Sequence, residues 1–432
     1  MKNRRQFLKA LSLTGTALAH PSFVLTANSL SFAGKLVVTV QAAGGWDVTH
    51  FCDPKENQPG SDIISNWSKT DETRTAGNLS YAPVANNNSF FDRHYDKTLI
   101  INGVDAQTNA HSIGETANWS GRTAAGFPTL TALYSAVYAP QLPMSYLSFG
   151  GFSKTANLLR PTMLPHSTSD LRGFLQPNIE ENNGGFILDT DIWTLIKQLN
   201  ASDAQSMLED ETLVAGNRRA RSAYLESLTN NEALAEFATT LPNREEEQAI
   251  SGDNRLISQA HFALLAFKSG VSATADLTTD GNFDSHDDND SEQTDSLRKL
   301  TDGLDYLWDY AEQLGLADRL IVIVGSDFSR TPYYNSGAGK DHWPIGSYMV
   351  MEKNAAFTNR VIGATDEEQN ALGLDVRKTL FGTRIFSTSS FSGTKLVPAH
   401  VQKALRKHLG LETSATTLEF PLINTELVDF FS

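Results

Sequence analysis

Short runs of apolar, β-branched residues alternate along this chain with segments of helical periodicity. Leu36–Val40 and Leu320–Val324 are apolar almost throughout, which predicts strands buried on both faces of a sheet. Leu297–Leu314 carries apolar residues at helical spacing and predicts an amphipathic helix. The other predicted elements are strands at 98–101, 144–149 and 271–277 and a helix at 129–138. Strands and helices that alternate with short connections indicate an α/β fold, with a mostly parallel sheet and helices on its faces.

Two long segments interrupt this alternation. Residues 53–97 are polar, and we expect them to form an excursion that contributes little to the core. Residues 191–269 are rich in predicted helix, and we expect a helical insertion or cap over the sheet. We therefore predict a single domain over residues 34–432, preceded by an N-terminal segment, residues 1–33, of a different character.

Composition narrows the class of protein. The 432 residues are 40% hydrophobic and 20% charged, which is typical of a soluble globular protein and excludes a disordered, collagen-like or multi-span membrane chain. A single cysteine, Cys52, excludes a disulfide framework and a cysteine-rich zinc or iron–sulfur site. The formal net charge of −15 argues against a nucleic-acid partner, because phosphate binding needs a basic surface.

The N-terminal segment has the pattern of an export signal. Arg4 and Arg5 precede an apolar run from Ala10 to Ala19, which resembles the twin-arginine signal. The run is too short and too polar to span a bilayer, and no cysteine follows it for lipid attachment, so we expect no stable membrane anchor. The alternative is an ordinary basic start to a cytoplasmic helix. We predict a periplasmic or secreted protein, with the twin-arginine translocase as its partner during export.

Polar clusters follow the predicted strands at their carboxyl ends, the edge at which open parallel sheets hold their sites. Asp47 follows the first strand, Asp284 and His286 follow the strand at 271–277, and Asp327 follows Leu320–Val324. Asp284 and His286 are two residues apart, so both side chains project to one face of an extended segment. Carboxylates and imidazoles that converge from distant positions are the ligands that divalent metal ions need.

Several of these residues also have a purely structural alternative. Asp341 and His342 are adjacent and would diverge in a strand, so only one of them is expected to bind a metal. Asp47 could instead cap a turn, and Arg330 could pair with a core carboxylate instead of a substrate anion. The acidic run 280–295 is more typical of a solvated, helix-capping loop than of a calcium site.

Together with the export signal, three motifs resemble a family of twin-arginine-exported proteins known as domain of unknown function 1501. The motifs are Gly44–Asp47, Phe283–His286, and Ser326–Pro332 with Lys340–Pro344 downstream. Asn109–Ser112 resembles a further element of the family. The family resembles the alkaline phosphatase and sulfatase superfamily, and the resemblance implies a three-layer α/β/α fold of the alkaline phosphatase type.

The resemblance also implies a site for one or two divalent ions, which would be Zn, Mn, Mg or Ca. In that site Asp47 would be the strand-one ligand, Asp284 and His286 would serve one metal, Asp327 the second, and His342 would complete the shell. This chain has Phe328 where the superfamily usually has a histidine directly after the strand-end acid. The resemblance therefore leaves the second metal with an incomplete shell.

The superfamily nucleophile is a Ser, Thr or modified Cys at a helix N-terminus, where the helix dipole stabilises an attacking oxyanion. Ser112 is the catalytic candidate that the resemblance favours, with Thr108 and Thr49 as alternatives. Arg330 is the second catalytic candidate, expected to bind the non-bridging oxygens of the substrate.

The sequence thus predicts an exported, metal-dependent hydrolase that acts on a small phosphate or sulfate ester. Cleavage after Ala33 would remove four basic residues and no acidic ones and lower the formal charge from −15 to −19, which disfavours a polyanionic polymer as substrate. The alternative is a non-catalytic or degenerate secreted protein that keeps the fold and binds an unknown protein partner. The two hypotheses differ in whether a Ser or Thr lies beside the acidic cluster.

Overall fold

The computed structural model describes residues 32–432 apart from 151, 165–170, 177, 179–184, 210–213, 215–216, 219–220, 222–224, 226–230, 281 and 379–383. The predicted twin-arginine motif and its apolar run lie outside the described residues. No helix among the described residues is long and apolar enough to cross a membrane.

The strands, in chain order, are β1 Leu36–Ala42, β2 Arg74–Ala76, β3 Leu79–Tyr81, β4 Thr98–Asp105, β5 Tyr146–Ser148, β6 Thr162–Met163, β7 Thr274–Thr278, β8 Leu320–Ser326, β9 Ser329–Arg330, β10 His342–Trp343, β11 Ile345–Glu352, β12 Arg360–Ile362, β13 Gly373–Lys378 and β14 Arg384–Ser389. The helices are α1 Asn87–His94, α2 His111–Ser120, α3 Leu130–Tyr138, α4 Leu171–Leu175, α5 Thr190–Leu208, α6 Asn231–Thr240, α7 Arg244–Ser251, α8 Arg255–Lys268, α9 Asn289–Leu314, α10 Pro398–His408 and α11 Ala415–Leu418.

An eight-stranded sheet forms the centre of the molecule, in the order β12-β4-β11-β8-β1-β7-β5-β6. Strand β11 runs antiparallel to its two neighbours, β4 and β8. The other pairings within this sheet are parallel. The structure therefore confirms the predicted, mostly parallel central sheet.

Helices cover both faces of the sheet, as the alternating side chains of β1 require. Val38 and Val40 of β1 pack in one apolar core with residues of α1, α8 and α9. Val37 of β1 lies in a second core with residues of α2, α3 and α10. The predicted three-layer α/β/α arrangement is thereby confirmed.

Two expectations from the sequence need correction. The segment 53–97 contributes to the core, because Leu79, Tyr81, Phe90 and Phe91 are buried and Tyr81 stacks on Phe91 with ring centroids 4.7 Å apart. These few large apolar side chains are enough to anchor an otherwise polar segment. Strand β11 was not among the predicted elements, although it is buried along its whole length.

Helix α8 falls within the segment expected to be an insertion. It packs on the central layers, since ten of its fourteen residues are buried and it contacts β7 and α9. This helix therefore belongs to the layer that covers the sheet.

The loops that carry the candidate residues meet at the carboxyl ends of β1, β7 and β8, which are adjacent in the sheet. Helix α2 begins against the same edge. Gly114 allows this approach, because a Cβ atom there would lie 2.3 Å from the carbonyl oxygen of Asp327. Gly44 has a φ of +108°, and a Cβ atom there would lie 2.6 Å from the backbone nitrogen of Asp284.

Candidate metal centre

Three histidines and one aspartate converge at this edge of the sheet. Asp284 Oδ1 lies 3.5 Å from His111 Nε2, 3.1 Å from His286 Nε2 and 3.2 Å from His342 Nε2. The Nε2 atoms of His286 and His342 are 3.0 Å apart. One ligand atom from each of His111, Asp284 and His342 fits within a 4.8 Å span, close enough to share a single metal ion.

The opposite nitrogen of each imidazole is held by an oxygen atom. His111 Nδ1 donates to Asp327 Oδ2 at 2.6 Å, His342 Nδ1 to the carbonyl oxygen of Asn109 at 2.8 Å, and His286 Nδ1 to Asp341 Oδ1 at 3.0 Å. An imidazole that donates from Nδ1 can offer Nε2 to a metal ion. Asp284 Oδ1 lies within 3.5 Å of all three Nε2 atoms. The donor set therefore fits a divalent metal ion, and the oxygen partners are those that orient metal-binding histidines.

Asp327 orients His111 from a buried position. Its side chain is 2% exposed, and its Oδ1 accepts hydrogen bonds from Gln41 Nε2 at 2.5 Å and Gly44 N at 3.2 Å. The bond to Asp327 is the main cause of a raised pKa of His111, against the lowering effect of burial. Asp327 thus contacts the cluster through His111 and is not itself one of the four converging residues.

A buried aromatic ring forms the floor of the cluster. Phe328 is 2% exposed, and its ring centroid lies 4.8 Å from that of His111 and 4.5 Å from that of His342. The far side is open to solvent, since the side chains of Asp284 and His286 are 40% and 46% exposed. The site is therefore a shallow, solvent-accessible centre on an apolar base.

Arg330 fixes the carboxylate of Asp284. The arginine is fully buried, and its Nη2 donates to Asp284 Oδ1 at 2.6 Å. Its other donors bind backbone carbonyl oxygens of Gly44, Gly45 and Lys340. Burial acts to raise the pKa of Asp284, but Arg330 and the neighbouring histidines outweigh it and lower that pKa. The guanidinium donors are thus used within the protein, which matches the alternative that Arg330 pairs with a carboxylate of the protein instead of a substrate anion.

Asp47 lies in a separate, fully buried network. Its Oδ1 accepts from the Thr49 backbone N–H at 3.0 Å and the Thr49 hydroxyl at 2.6 Å, and its Oδ2 accepts from Lys340 Nζ at 2.8 Å and Asn289 Nδ2 at 3.0 Å. His50 Nδ1 lies 2.8 Å from Oδ2 but outside hydrogen-bonding geometry, so this contact is a close charge pair. Burial opposes ionisation, yet Lys340 and His50 hold the pKa of Asp47 well below its usual range.

The candidate nucleophiles occupy different surroundings. Ser112 is the second residue of α2, next to His111, and it is exposed. Thr108 lies just before the helix and accepts a hydrogen bond from the Ala110 backbone N–H at 3.1 Å. Thr49 is fully buried, and its hydroxyl is held by Asp47. Ser112 is therefore the candidate that is both accessible and adjacent to the cluster.

The structure brings together three of the five predicted metal ligands, Asp284, His286 and His342. It places Asp327 behind His111 and Asp47 in the Lys340 network. His111 belongs to the cluster but was not among the predicted ligands, although the sequence signal was present: it lies beside the nucleophile candidate, within the Asn109–Ser112 element. The superfamily usually has a histidine directly after the strand-end acid, where this chain has Phe328. His111, from a different segment, places an imidazole beside that acid, Asp327.

Comparisons with known proteins give the following similarities. No curated protein matches this chain. Among solved structures, it is similar to the lipoteichoic acid synthase LtaP from Listeria monocytogenes, with a TM-score of 0.36 and 10% identity over 96% of this chain and 79% of that one. It is also similar to a putative sulfatase from Bacteroides thetaiotaomicron, with a TM-score of 0.32 and 9% identity over 88% and 72% of the two chains. A third similarity is to TAB5 alkaline phosphatase, with a TM-score of 0.34 and 10% identity over 76% and 94%.

At TM-scores below 0.5, these structural similarities say nothing further about the chain. The comparison with protein families gives a match over most of the chain. Residues 34–377 match the model described as "Protein of unknown function (DUF1501)", which includes every residue of the cluster. The chain therefore belongs to the DUF1501 family.

Proposed function

We propose that this protein is an exported, metal-dependent hydrolase that acts on a small phosphate or sulfate ester. The observation that carries the proposal is the convergence of His111, Asp284, His286 and His342, with each imidazole oriented by an oxygen atom. Such a set can bind a cation, since three oriented Nε2 atoms lie within 3.5 Å of one carboxylate oxygen, Asp284 Oδ1.

A divalent ion bound by these four residues would supply positive charge to polarise the ester and to stabilise the leaving oxygen. The protein residues keep the binding atoms in place. Asp327 holds the ring of His111, and Arg330 holds the carboxylate of Asp284. Phe328 excludes water from below the rings of His111 and His342, which strengthens electrostatic interactions on that side.

Ser112 is the nucleophile in this proposal. It lies in the first turn of α2, a ten-residue helix, where unpaired backbone N–H groups favour a developing negative charge. The side chain is exposed, and Ser112 directly follows His111 in the chain, which supports a hydroxyl accessible to a substrate bound at the cluster. The anion-binding role expected of Arg330 is replaced by a positioning role, because the guanidinium is buried against Asp284 and the turn at Gly44 and Gly45.

The test is hydrolysis of p-nitrophenyl phosphate and p-nitrophenyl sulfate by the purified full chain, with Zn, Mn, Mg or Ca added in turn. We expect activity that EDTA abolishes and that H342A lowers at least about 100-fold. S112A should lower kcat by about 100-fold or more while leaving metal binding intact. The matched controls are T116A, one turn further along α2, and H261A, a histidine that stacks on Tyr310 away from the cluster.

One observation favours a second candidate, a metal-binding protein without catalysis. None of the described residues forms a hydrogen bond with the Ser112 hydroxyl, so no neighbouring base is in place to activate it. Under this alternative the metal is bound, H342A loses it, and neither ester is hydrolysed under any of the four metal conditions. Equal activity of S112A and the unsubstituted chain would contradict nucleophilic attack by Ser112 while leaving a metal-activated water open as the nucleophile.

A further inference from the structure

The ion pair between Lys340 and Asp47 lies where the family resemblance implies the strand-one ligand of a two-metal site. Both side chains are fully buried. A carboxylate offers about four lone-pair positions. In Asp47 all four are used, by two donors from Thr49, one from Asn289 and one from Lys340. A metal ion could bind Asp47 only by displacing one of these donors.

The ammonium of Lys340 is likewise held by contacts within the protein. It donates to Asp47 Oδ2 at 2.8 Å and to Thr49 Oγ1 at 3.2 Å. The same nitrogen lies 4.9 Å from the ring centroid of Tyr334, a cation–π distance. The backbone of Lys340 is fixed on both sides, since its N–H donates to the Ser285 carbonyl and its carbonyl accepts from Arg330. The ammonium is therefore held in a fixed position as the counter-charge of Asp47.

Asp327, the carboxylate that the resemblance assigns to the second metal, also has its oxygen atoms occupied. Gln41 and the Gly44 backbone N–H donate to Oδ1, and His111 donates to Oδ2. Phe328 follows it and offers no ligand atom. Neither Asp47 nor Asp327 thus offers a free position to a second metal ion, whereas the four residues of the cluster fit one ion.

We infer that the Lys340 ammonium takes the place of a second cation in this protein, so that the centre binds one divalent ion, at His111, Asp284, His286 and His342. An ammonium is a compact positive charge, and in this buried ion pair it faces Asp47 without an exchangeable metal ion. The inference rests on the proposed function, because it specifies how many ions the proposed centre contains.

The first test is the number of ions bound, measured by native mass spectrometry and elemental analysis on the metal-stripped full chain titrated with Zn²⁺ and, separately, Mn²⁺. We expect one ion per chain in the unsubstituted protein, none in D284N and one in D47N. Two ions in the unsubstituted protein, with one lost in D47N, would overturn the inference and leave the proposed function standing. No bound ion with either metal would overturn the metal centre and with it the proposed function.

The second test follows the role of Lys340 without any metal. Thermal unfolding of the stripped protein is compared for K340M, D47N and K340M/D47N. We expect each single variant to lower Tm, and the double variant to lower it by clearly less than the sum of the two, because an unpaired buried charge is worse than none. Additive changes, or a K340M variant with unchanged Tm, would overturn the role of the ammonium as the counter-charge.

K340M also gives a positive readout. With the ammonium gone, Asp47 regains a free lone pair, and His50 Nδ1, 2.8 Å from Oδ2, is the counter-charge that remains beside it. We expect folded K340M to bind a second ion that K340M/D47N does not bind. If K340M does not fold, the D47N stoichiometry still decides the inference, since that variant keeps Lys340.

Discussion

His111 Nδ1 and Asp327 Oδ2 are 2.6 Å apart, although 216 residues separate the two along the chain. The contact joins the start of α2 to the end of β8 and turns the imidazole so that Nε2 faces Asp284. An oriented histidine has lost its rotational freedom before any ion arrives. The metal affinity of the proposed centre should therefore depend on Asp327, a carboxylate that is not among its four proposed ligands.

Asp327→Asn should lower metal affinity by about 10- to 100-fold with the fold intact, because the amide cannot stabilise the Nδ1–H of His111 as a carboxylate does. Isothermal titration with Zn²⁺ measures the change. Asp287→Asn is the control, an exposed acid near the cluster that makes no contact with His111. Equal losses in the two variants would mean that general negative charge, rather than orientation of His111, determines affinity.

Gly114→Ala should displace α2 from the edge of the sheet. The added Cβ would lie 2.3 Å from the carbonyl oxygen of Asp327, too close for backbone atoms that have little room to move. We expect a loss of about 1–3 kcal/mol in the free energy of unfolding, together with weaker metal binding. Ile113→Ala, at an exposed neighbouring position of α2, should leave both nearly unchanged. Denaturant unfolding and metal titration of the two variants make the comparison.

Arg330→Lys should destabilise the protein even though it keeps the charge. The guanidinium binds three backbone carbonyls and Asp284 at once, and an ammonium cannot reproduce this planar set of donors. Carbonyl groups left unpaired in the interior lead us to expect a loss of about 2 kcal/mol or more. Arg298→Lys, on the exposed face of α9, should cost less than about 0.5 kcal/mol. Urea unfolding curves for both variants test this difference.

Stability should depend on the protonation of Asp276. This carboxyl is fully buried in β7, and burial raises its pKa from 3.8 to about 6, despite hydrogen bonds from Thr131, Tyr146 and Thr39. A group whose pKa is raised on folding contributes stability at low pH and loses it as pH rises through the folded pKa. Its contribution should therefore fall by about 1 kcal/mol between pH 5 and pH 7.

Asp276→Asn should remove this part of the pH dependence, since an amide does not titrate in this range. Unfolding in urea at pH 5 and pH 7, for the unsubstituted protein and the variant, measures it. An unchanged difference between the two pH values in D276N would contradict the assignment to Asp276.

The predicted sheet followed from runs such as Leu36–Val40 and Leu320–Val324, whose apolar, β-branched character persists on both faces. Strand β11 was missed because Gly346, Ser347 and Glu352 interrupt the apolar pattern. Its burial depends on pairing with β4 and β8, which only the assembled sheet provides.

The sequence predicted those parts of the candidate site that follow directly from the ends of predicted strands. The position of Asp284 after β7 gave the correct edge of the sheet, and His286 and His342 lie there with it. The position of Asp47 after β1 suggested a ligand in the same way. A strand-end position could not show, however, that Lys340, 293 residues away, pairs with this carboxylate. His111 follows β4, whose position in the sheet beside β11 was not predicted, so its approach to Asp327 depended on topology that local sequence does not encode.

The bonds of Arg330 have a consequence for the order of folding. They connect the turn after β1, the loop after β7 and the residue before Asp341, so segments that span some three hundred positions must be in place together. Such long-range closure is slow and comes late. A chain still emerging from the ribosome has no complete ligand set until position 342 and the buried strand that follows it have joined the sheet. Metal binding would then come at the end of folding, and a bound ion would distinguish fully folded chains from partly folded ones.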